Sequence, residues 1–270
     1  MSVGRLLGRL ALPFARRERH VADVNLKLCL PQLSAAQRRG VIRGHFEALG
    51  CAIIETALVW WGKEKTFDSL VRLEGLEHLT RALEQGKGAI LLSAHFTTLE
   101  MGARALTRAT PTAVMYQTPR NALIAELSLR SRGRLAARVV SSDSVRELLQ
   151  SLKGNLTMWY APDQREEGKM AAVVPFFGVP AETNVATSRI AQISGAPVLT
   201  YFPERLADGS GYVMRIGAPL ENFPSGDPLA DAARFHALIE QHVRRCPEQY
   251  LWTYKRFKRV DHDPYRKDAA

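Results

Sequence analysis

The chain has 270 residues, 46% of them hydrophobic and 24% charged, with a formal net charge of +10. That composition fits a globular chain with one large domain or two small ones, and it excludes collagen-like, disordered and disulfide-scaffold classes. Three widely spaced cysteines (Cys29, Cys51 and Cys246), with no CxxC pair, argue against a zinc site or disulfide framework and fit a reducing compartment.

The basic charge sits at the two ends. Residues 1–45 hold nine Lys/Arg against two Asp/Glu, and residues 244–270 hold eight against four, around a near-neutral middle. Such ends suit nucleic acid, an anionic membrane surface, or an acidic protein or substrate. The opening MSVGRLLGRLALPFARRERH discriminates among them. Val3, Leu6, Leu7, Leu10 and Phe14 recur at helical spacing, with Arg5 and Arg9 off that face and Arg16, Arg17 and Arg19 directly after it. An apolar face edged by arginine is expected to lie in a membrane interface. The alternative is an ordinary amphipathic helix packed on the core. No stretch approaches the roughly 20 apolar residues that span a bilayer.

Ser34-Ala-Ala-Gln37 reads as a capping box opening a long helix to about Trp61. A helical stretch follows Gly75, and the glycine-bounded run AILLSAHF (89–96) reads as a buried strand. Helix and strand then alternate. Helices are expected at Leu99–Ala109, Leu123–Arg132, Val145–Leu152 and Val185–Ser194. Strands are expected at Thr112–Tyr116, Arg138–Ser141, Leu156–Tyr160, Pro197–Phe202 and Tyr212–Ile216, with a closing helix at Leu229–Arg245. This alternation predicts an α/β fold with a mixed, largely parallel central sheet flanked by helices, preceded by the N-terminal amphipathic helix. Residues 1–20 read as a membrane-surface segment and 21–270 as one domain.

Ligands of such sheets bind outside the carboxyl ends of the strands. The polar residues there are His95, Tyr116-Gln117, Ser141-Ser142-Asp143 and Asp163-Gln164-Arg165. Nucleotide-binding glycine loops, the nucleophile elbow, HExxH and nucleic-acid patterns are absent, so no nucleic-acid partner is expected. The strongest feature is Ser93-Ala-His95-Phe-Thr-Thr-Leu-Glu100, an H-x4-E in which His95 precedes a helix carrying Glu100. A carboxylate on Nδ1 would free Nε2 to take a proton from an alcohol, and without a neighbouring Ser or Cys nucleophile the alcohol itself would attack an activated acyl group. The segment Arg130-Ser-Arg132-Gly-Arg134 could steady the resulting oxyanion, hold a phosphate, or be a solvated turn. Asp163 and Arg165 read equally as substrate contacts or turn residues. Cys51, inside an apolar helical run, suits inert packing better than covalent catalysis.

Several blocks together carry a resemblance. They are Asn25-Leu26 with Cys29-Leu30-Pro31, Ser93–Glu100, Trp159–Gln164, Val174–Gly178, Ala186–Arg189, and Pro247–Trp252 with Arg256-Phe257-Lys258. In this order the chain resembles the late acyltransferases of lipid A biosynthesis, the lauroyl/myristoyl transferase family, over roughly residues 20–260. The resemblance implies a glycerolipid-acyltransferase-like fold on the cytoplasmic face of the inner membrane. It implies acyl carrier protein as donor, the hydroxyl of a lipid A precursor as acceptor, and no metal or cofactor. It puts the base on His95, its partner on Glu100, the active-site arginine on Arg132 (or Arg134), and the family aspartate on Asp163. Arg130, Arg134, Asp163, Gln164 and Arg165 are the expected substrate contacts. Family members usually start with a longer apolar segment, so monotopic attachment is expected here. An acyltransferase acting on a lysophospholipid or ornithine-type lipid, and a catalytically silent membrane-surface protein, are the alternatives. Phe202-Pro-Glu-Arg205 is similar to the FPEG-type block of glycerolipid acyltransferases, but it lacks the glycine and reads as a strand end.

Overall fold

The computed structural model describes residues 1–116, 121–141 and 144–266; the strand-end candidates Gln117, Ser142 and Asp143 lie outside them. Three helices open the chain: α1 (Ser2–Ala11), α2 (Arg16–Cys29) and α3 (Ala35–Trp61). Next come α4 (Glu64–Asp68), β1 (Val71–Glu74), α5 (Leu76–Leu83) and β2 (Ala89–Leu92). The alternating body continues with α6 (Leu99–Ala109), β3 (Thr112–Tyr116), α7 (Ala122–Leu135), β4 (Arg138–Ser141), α8 (Val145–Lys153) and β5 (Thr157–Tyr160). A hairpin, β6 (Ala171–Phe176) and β7 (Val179–Asn184), precedes α9 (Ala186–Ser194), β8 (Val198–Arg205), β9 (Tyr212–Ile216) and α10 (Pro228–Arg245).

Seven strands form one sheet in the order β1-β9-β8-β2-β5-β3-β4. Every pairing in it is parallel except β8 with β9. The α/β architecture expected from the alternation is therefore present. β2 sits mid-sheet, which explains its unbroken apolar run. Ile90 and Leu92 enter the core on one face with Met158 and Val198, while Ala89 and Leu91 meet Leu199 and Met214 on the other. The Ser34–Gln37 capping box opens α3 as predicted, with both reciprocal bonds made. Residues 202–205 end β8, as expected.

The pattern did not reveal β1 or the hairpin. β1 is only four residues long, and Pro175 within β6 argues against a strand. Phe177 and Gly178, both at positive φ, turn the hairpin.

At the N-terminus, α1 stops at Ala11, so Phe14 falls in the following turn and Arg16, Arg17 and Arg19 begin α2. α1 meets α3 through glycine. A Cβ on Gly8 would stand 2.0 Å from the Phe46 carbonyl oxygen, and one on Gly50 would stand 2.1 Å from the Gly4 carbonyl oxygen. The close approach turns the glycine side inward. Val3, Leu6, Leu7 and Leu10 face outward, each more than 40% exposed. An ordinary amphipathic helix buries its apolar face against the core; this one presents it.

Candidate active site

The register of the sheet assembles the site. β2 and β5 are parallel neighbours with Leu92 opposite Tyr160. The Ser93 amide donates to the Tyr160 carbonyl at 2.9 Å, keeping the two chains together past the strand ends. His95 and Asp163 each follow three residues later and meet. The Asp163 Oδ1 to His95 Nδ1 distance is 2.6 Å, and the His95 backbone N–H donates to Asp163 Oδ2 at 3.0 Å. One carboxylate thus fixes both the ring and the turn that carries it.

A second strap holds the same turn from the C-terminal side. The Thr97 amide donates to the Gln249 carbonyl at 2.8 Å, and the Leu251 amide donates to the His95 carbonyl at 3.0 Å. Asn25 secures this strap by donating to the Trp252 and Tyr254 carbonyls and accepting from the Tyr265 hydroxyl. The Asn25 and Pro247–Trp252 blocks, far apart in sequence, therefore serve one purpose, which is to immobilise the residue-95 turn.

The electrostatics follow from burial and pairing. Burial opposes a charged His95, but the Asp163 charge and hydrogen bond outweigh it and the imidazole pKa is raised. Burial would raise the Asp163 carboxyl; the His95 charge, its hydrogen bonds and buried Arg256 instead hold it below its ordinary value. Burial, reinforced by the Asp163 charge, holds the Tyr250 phenol protonated. Tyr250 and Arg256 belong to the blocks that carried the resemblance, and the folding of the C-terminal segment against the residue-95 turn brings them near the aspartate.

In this structure the His95 ring contacts Asp163, and the expected His95–Glu100 contact is not made. Glu100 lies in the first turn of α6, but its carboxylate accepts from Arg132 of α7 at 3.2 Å. It does not hold the imidazole, because the neighbouring strand end delivers Asp163 first. Asp163, expected as a substrate contact, is 2% exposed with its carboxylate on the His95 ring and amide.

The arginines separate as well. Arg132 lines the cavity beside His95, with its guanidinium 5.5 Å from the Tyr116 ring centre. Arg130 pairs with Glu126 on the exposed side of α7 at 2.5 Å, and Arg134 donates to the Trp60 carbonyl at 2.7 Å. Neither is among the residues that line that cavity. Gln164 and Arg165 do line it, and Arg165 is held by Glu182 at 2.7 Å.

The cavity has a volume of about 510 Å³. Its polar lining includes His95, Arg132, Gln164 and Arg165, and its apolar lining includes Leu99, Ala103, Leu106 and Val114. With Nδ1 tied to Asp163, Nε2 is the ring nitrogen left to exchange a proton with a bound group. A guanidinium across the same space can meet a developing negative charge.

Residues 1–259 match the model of a family described as bacterial lipid A biosynthesis acyltransferase. The chain is 35% identical over 260 residues to the lipid A biosynthesis palmitoleoyltransferase of Escherichia coli K12, covering 95% of this chain and 84% of the relative. It is 32% identical over 253 residues to the lipid A biosynthesis lauroyltransferase of the same organism, covering 93% and 83%. A lipid A biosynthesis acyltransferase of Haemophilus influenzae is 31% identical over 249 residues, covering 92% and 79%.

Proposed function

The chain belongs to the bacterial lipid A biosynthesis acyltransferase family and is an acyltransferase, and from that premise we propose a direct transfer in which His95 is the general base. The acceptor is the hydroxyl of a lipid A precursor, and the donor is an acyl thioester on acyl carrier protein. His95 Nε2 takes the hydroxyl proton as the oxygen attacks the thioester carbonyl. Arg132 steadies the oxyanion. When it collapses, the carbon–sulfur bond breaks and the imidazolium returns the proton to the departing thiolate. Asp163 positions the imidazole and offsets its charge, and Glu100 orients Arg132. Gln164 and Arg165 contact the substrates. The observation that carries this reading is the 2.6 Å Asp163–His95 contact, with His95 and Arg132 lining one cavity.

Among the described residues no helix is long and apolar enough to cross a membrane. We further propose that α1 docks on the anionic cytoplasmic surface of the inner membrane. Its outward apolar face and the arginines at the start of α2 support that reading.

The test is turnover of purified protein on acyl carrier protein thioesters and lipid A precursor, with the total lipids of a deletion strain weighed by mass spectrometry. His95→Ala should lose on the order of 10²–10⁴ in rate. Wild-type transfer by that variant, or unchanged lipid A in the deletion strain, defeats the proposal.

A further inference from the structure

A second cavity adjoins the first. It has a volume of about 420 Å³, and Arg165, Glu167, Lys258, Arg259, Asp263 and Arg266 are among the residues that line it. Arg165 lines both spaces. Its side chain is held by Glu182 at 2.7 Å and by Glu167. Arg165 is two residues from Asp163, so their Cα atoms stand at most roughly 7 Å apart. An arginine side chain of about six bonds, at about 1.1–1.2 Å each, adds roughly 7 Å more. The second cavity is therefore on the order of 10–15 Å from the imidazole that Asp163 holds.

Most of the charge in this second cavity is spent internally. Asp261 takes Arg259 through both oxygens, at 3.0 and 2.6 Å, and Glu167 takes Arg165. Asp263 accepts from the Tyr265 amide at 3.0 Å and lies 3.9 Å from the Arg266 guanidinium, too far for a hydrogen bond. Arg266 is exposed, and so is Lys258, which makes no ion pair among the described residues. Two cations thus line a walled space with their charge unanswered. A compact anion such as a phosphate is the ligand that such a space favours.

Resting on the acyl carrier protein donor of the reading above, we infer that this cavity is a phosphate subsite for the donor's pantetheine arm, with Lys258 and Arg266 as its cations. The arm joins the thioester sulfur to a phosphate through about thirteen bonds, roughly 15 Å when extended at about 1.1–1.2 Å per bond. That length matches the distance from His95 to the second cavity. The arm also carries two amides, and Gln164 and Asn184 line the first cavity with amides of their own. The thioester carbonyl then sits at His95, the arm runs past Arg165, and the phosphate rests with Lys258 and Arg266. A phosphate on the acceptor's headgroup shares this chemistry; the length match favours the donor.

The experiment measures how free phosphopantetheine and free pantetheine, which lacks the phosphate, inhibit transfer from an acyl carrier protein thioester. With the wild-type protein, phosphopantetheine should inhibit about tenfold more strongly than pantetheine, and in competition with the donor. In the double variant Lys258→Ala with Arg266→Ala that ratio should fall to near one, while inhibition by pantetheine keeps its strength. Both side chains are exposed, so melting temperature should not move. Should the double variant fail to fold, Lys258→Gln alone should lower the ratio. Equal potency of the two compounds on the wild-type protein, or a ratio that survives in the variants, means that the subsite is wrong while the acyltransferase reading stands. Competition with the lipid acceptor instead would give the phosphate to the acceptor and overturn the donor assignment. Absence of transfer by the wild-type protein from every acyl carrier protein thioester ends both.

Discussion

His95 and Asp163 meet because each stands three residues beyond the end of one of two adjacent parallel strands whose last residues, Leu92 and Tyr160, are paired. The contact is thus a consequence of sheet register, and it is rigid because β2 is buried throughout. Asp163→Asn keeps the size of the side chain but removes the charge that favours a protonated ring and can stabilise the wrong tautomer. Its kcat should fall on the order of 10²–10⁴ with little change in melting temperature. Glu100→Gln leaves His95 held and should cost far less. A larger loss from Glu100→Gln than from Asp163→Asn would restore the H-x4-E pairing and defeat this one.

The same pair sets a pH dependence. A base must be unprotonated to accept a proton, and Asp163 holds the His95 pKa above its ordinary 6.5. Activity should therefore fall as pH drops through that raised value, with the acid limb starting above the usual imidazole range. In Asp163→Asn the opposing effect of burial remains alone, so the limb should move to lower pH. A kcat/KM profile for both proteins checks the sign. A limb that stays in place in the variant removes Asp163 from the assignment.

For the arginines, one of three is expected to matter for chemistry. Arg132→Ala should lower kcat by about 10²–10³, the effect of losing one oxyanion donor. Arg130→Ala removes an exposed ion pair worth at most about 1 kcal/mol, and it should transfer acyl chains at close to the wild-type rate. Arg134→Ala should act on stability through the Trp60 carbonyl and leave kcat nearly intact. Equal losses in all three would point to collective phosphate attraction in place of one positioned donor.

The sequence made the alternation of elements legible, because periodicity is local. It also marked which strand ends carry polar residues. It could not give the order of strands in the sheet, which depends on packing between segments far apart in the chain. That missing order is why Glu100, close to His95 along the chain, read as its partner ahead of Asp163. The choice among Arg130, Arg132 and Arg134 needed the same information, since only the orientation of α7 against β3 separates them. The resemblance blocks at Asn25 and Tyr250 were visible, but their mechanical link to the residue-95 turn was not.

Three buried histidines outside the site predict acid sensitivity of the fold. Burial pushes His45, His236 and His242 each down to about 4. Between that value and the ordinary 6.5 the unfolded chain binds protons that the folded chain refuses, so stability rises with pH across the window and is lost as pH falls through it. Each contributes on the order of 1 kcal/mol per pH unit there. Melting temperature should drop between pH 6.5 and 4, and His242→Phe, which preserves stacking on Phe202, should flatten the drop. An identical slope in the variant would mean that His242 is not buried neutral.

The docking proposed for α1 can be separated from folding, because its glycine face packs on α3 and its leucine face is exposed. Gly8→Ala adds a Cβ that meets the Phe46 carbonyl at 2.0 Å. It should lever α1 off α3 and cost about 1–3 kcal/mol, the usual range for overpacking. Leu6→Gln with Leu10→Gln touches only the outward face and should leave melting temperature unchanged while weakening binding to vesicles that contain anionic lipid. Raised salt should weaken wild-type binding only in part, since the apolar contribution is not screened. Vesicle flotation of the double variant decides the matter. Binding as tight as wild type would mean that the exposed leucines do not enter the membrane, and the basic segment at the start of α2 would then have to account for any attachment by charge alone.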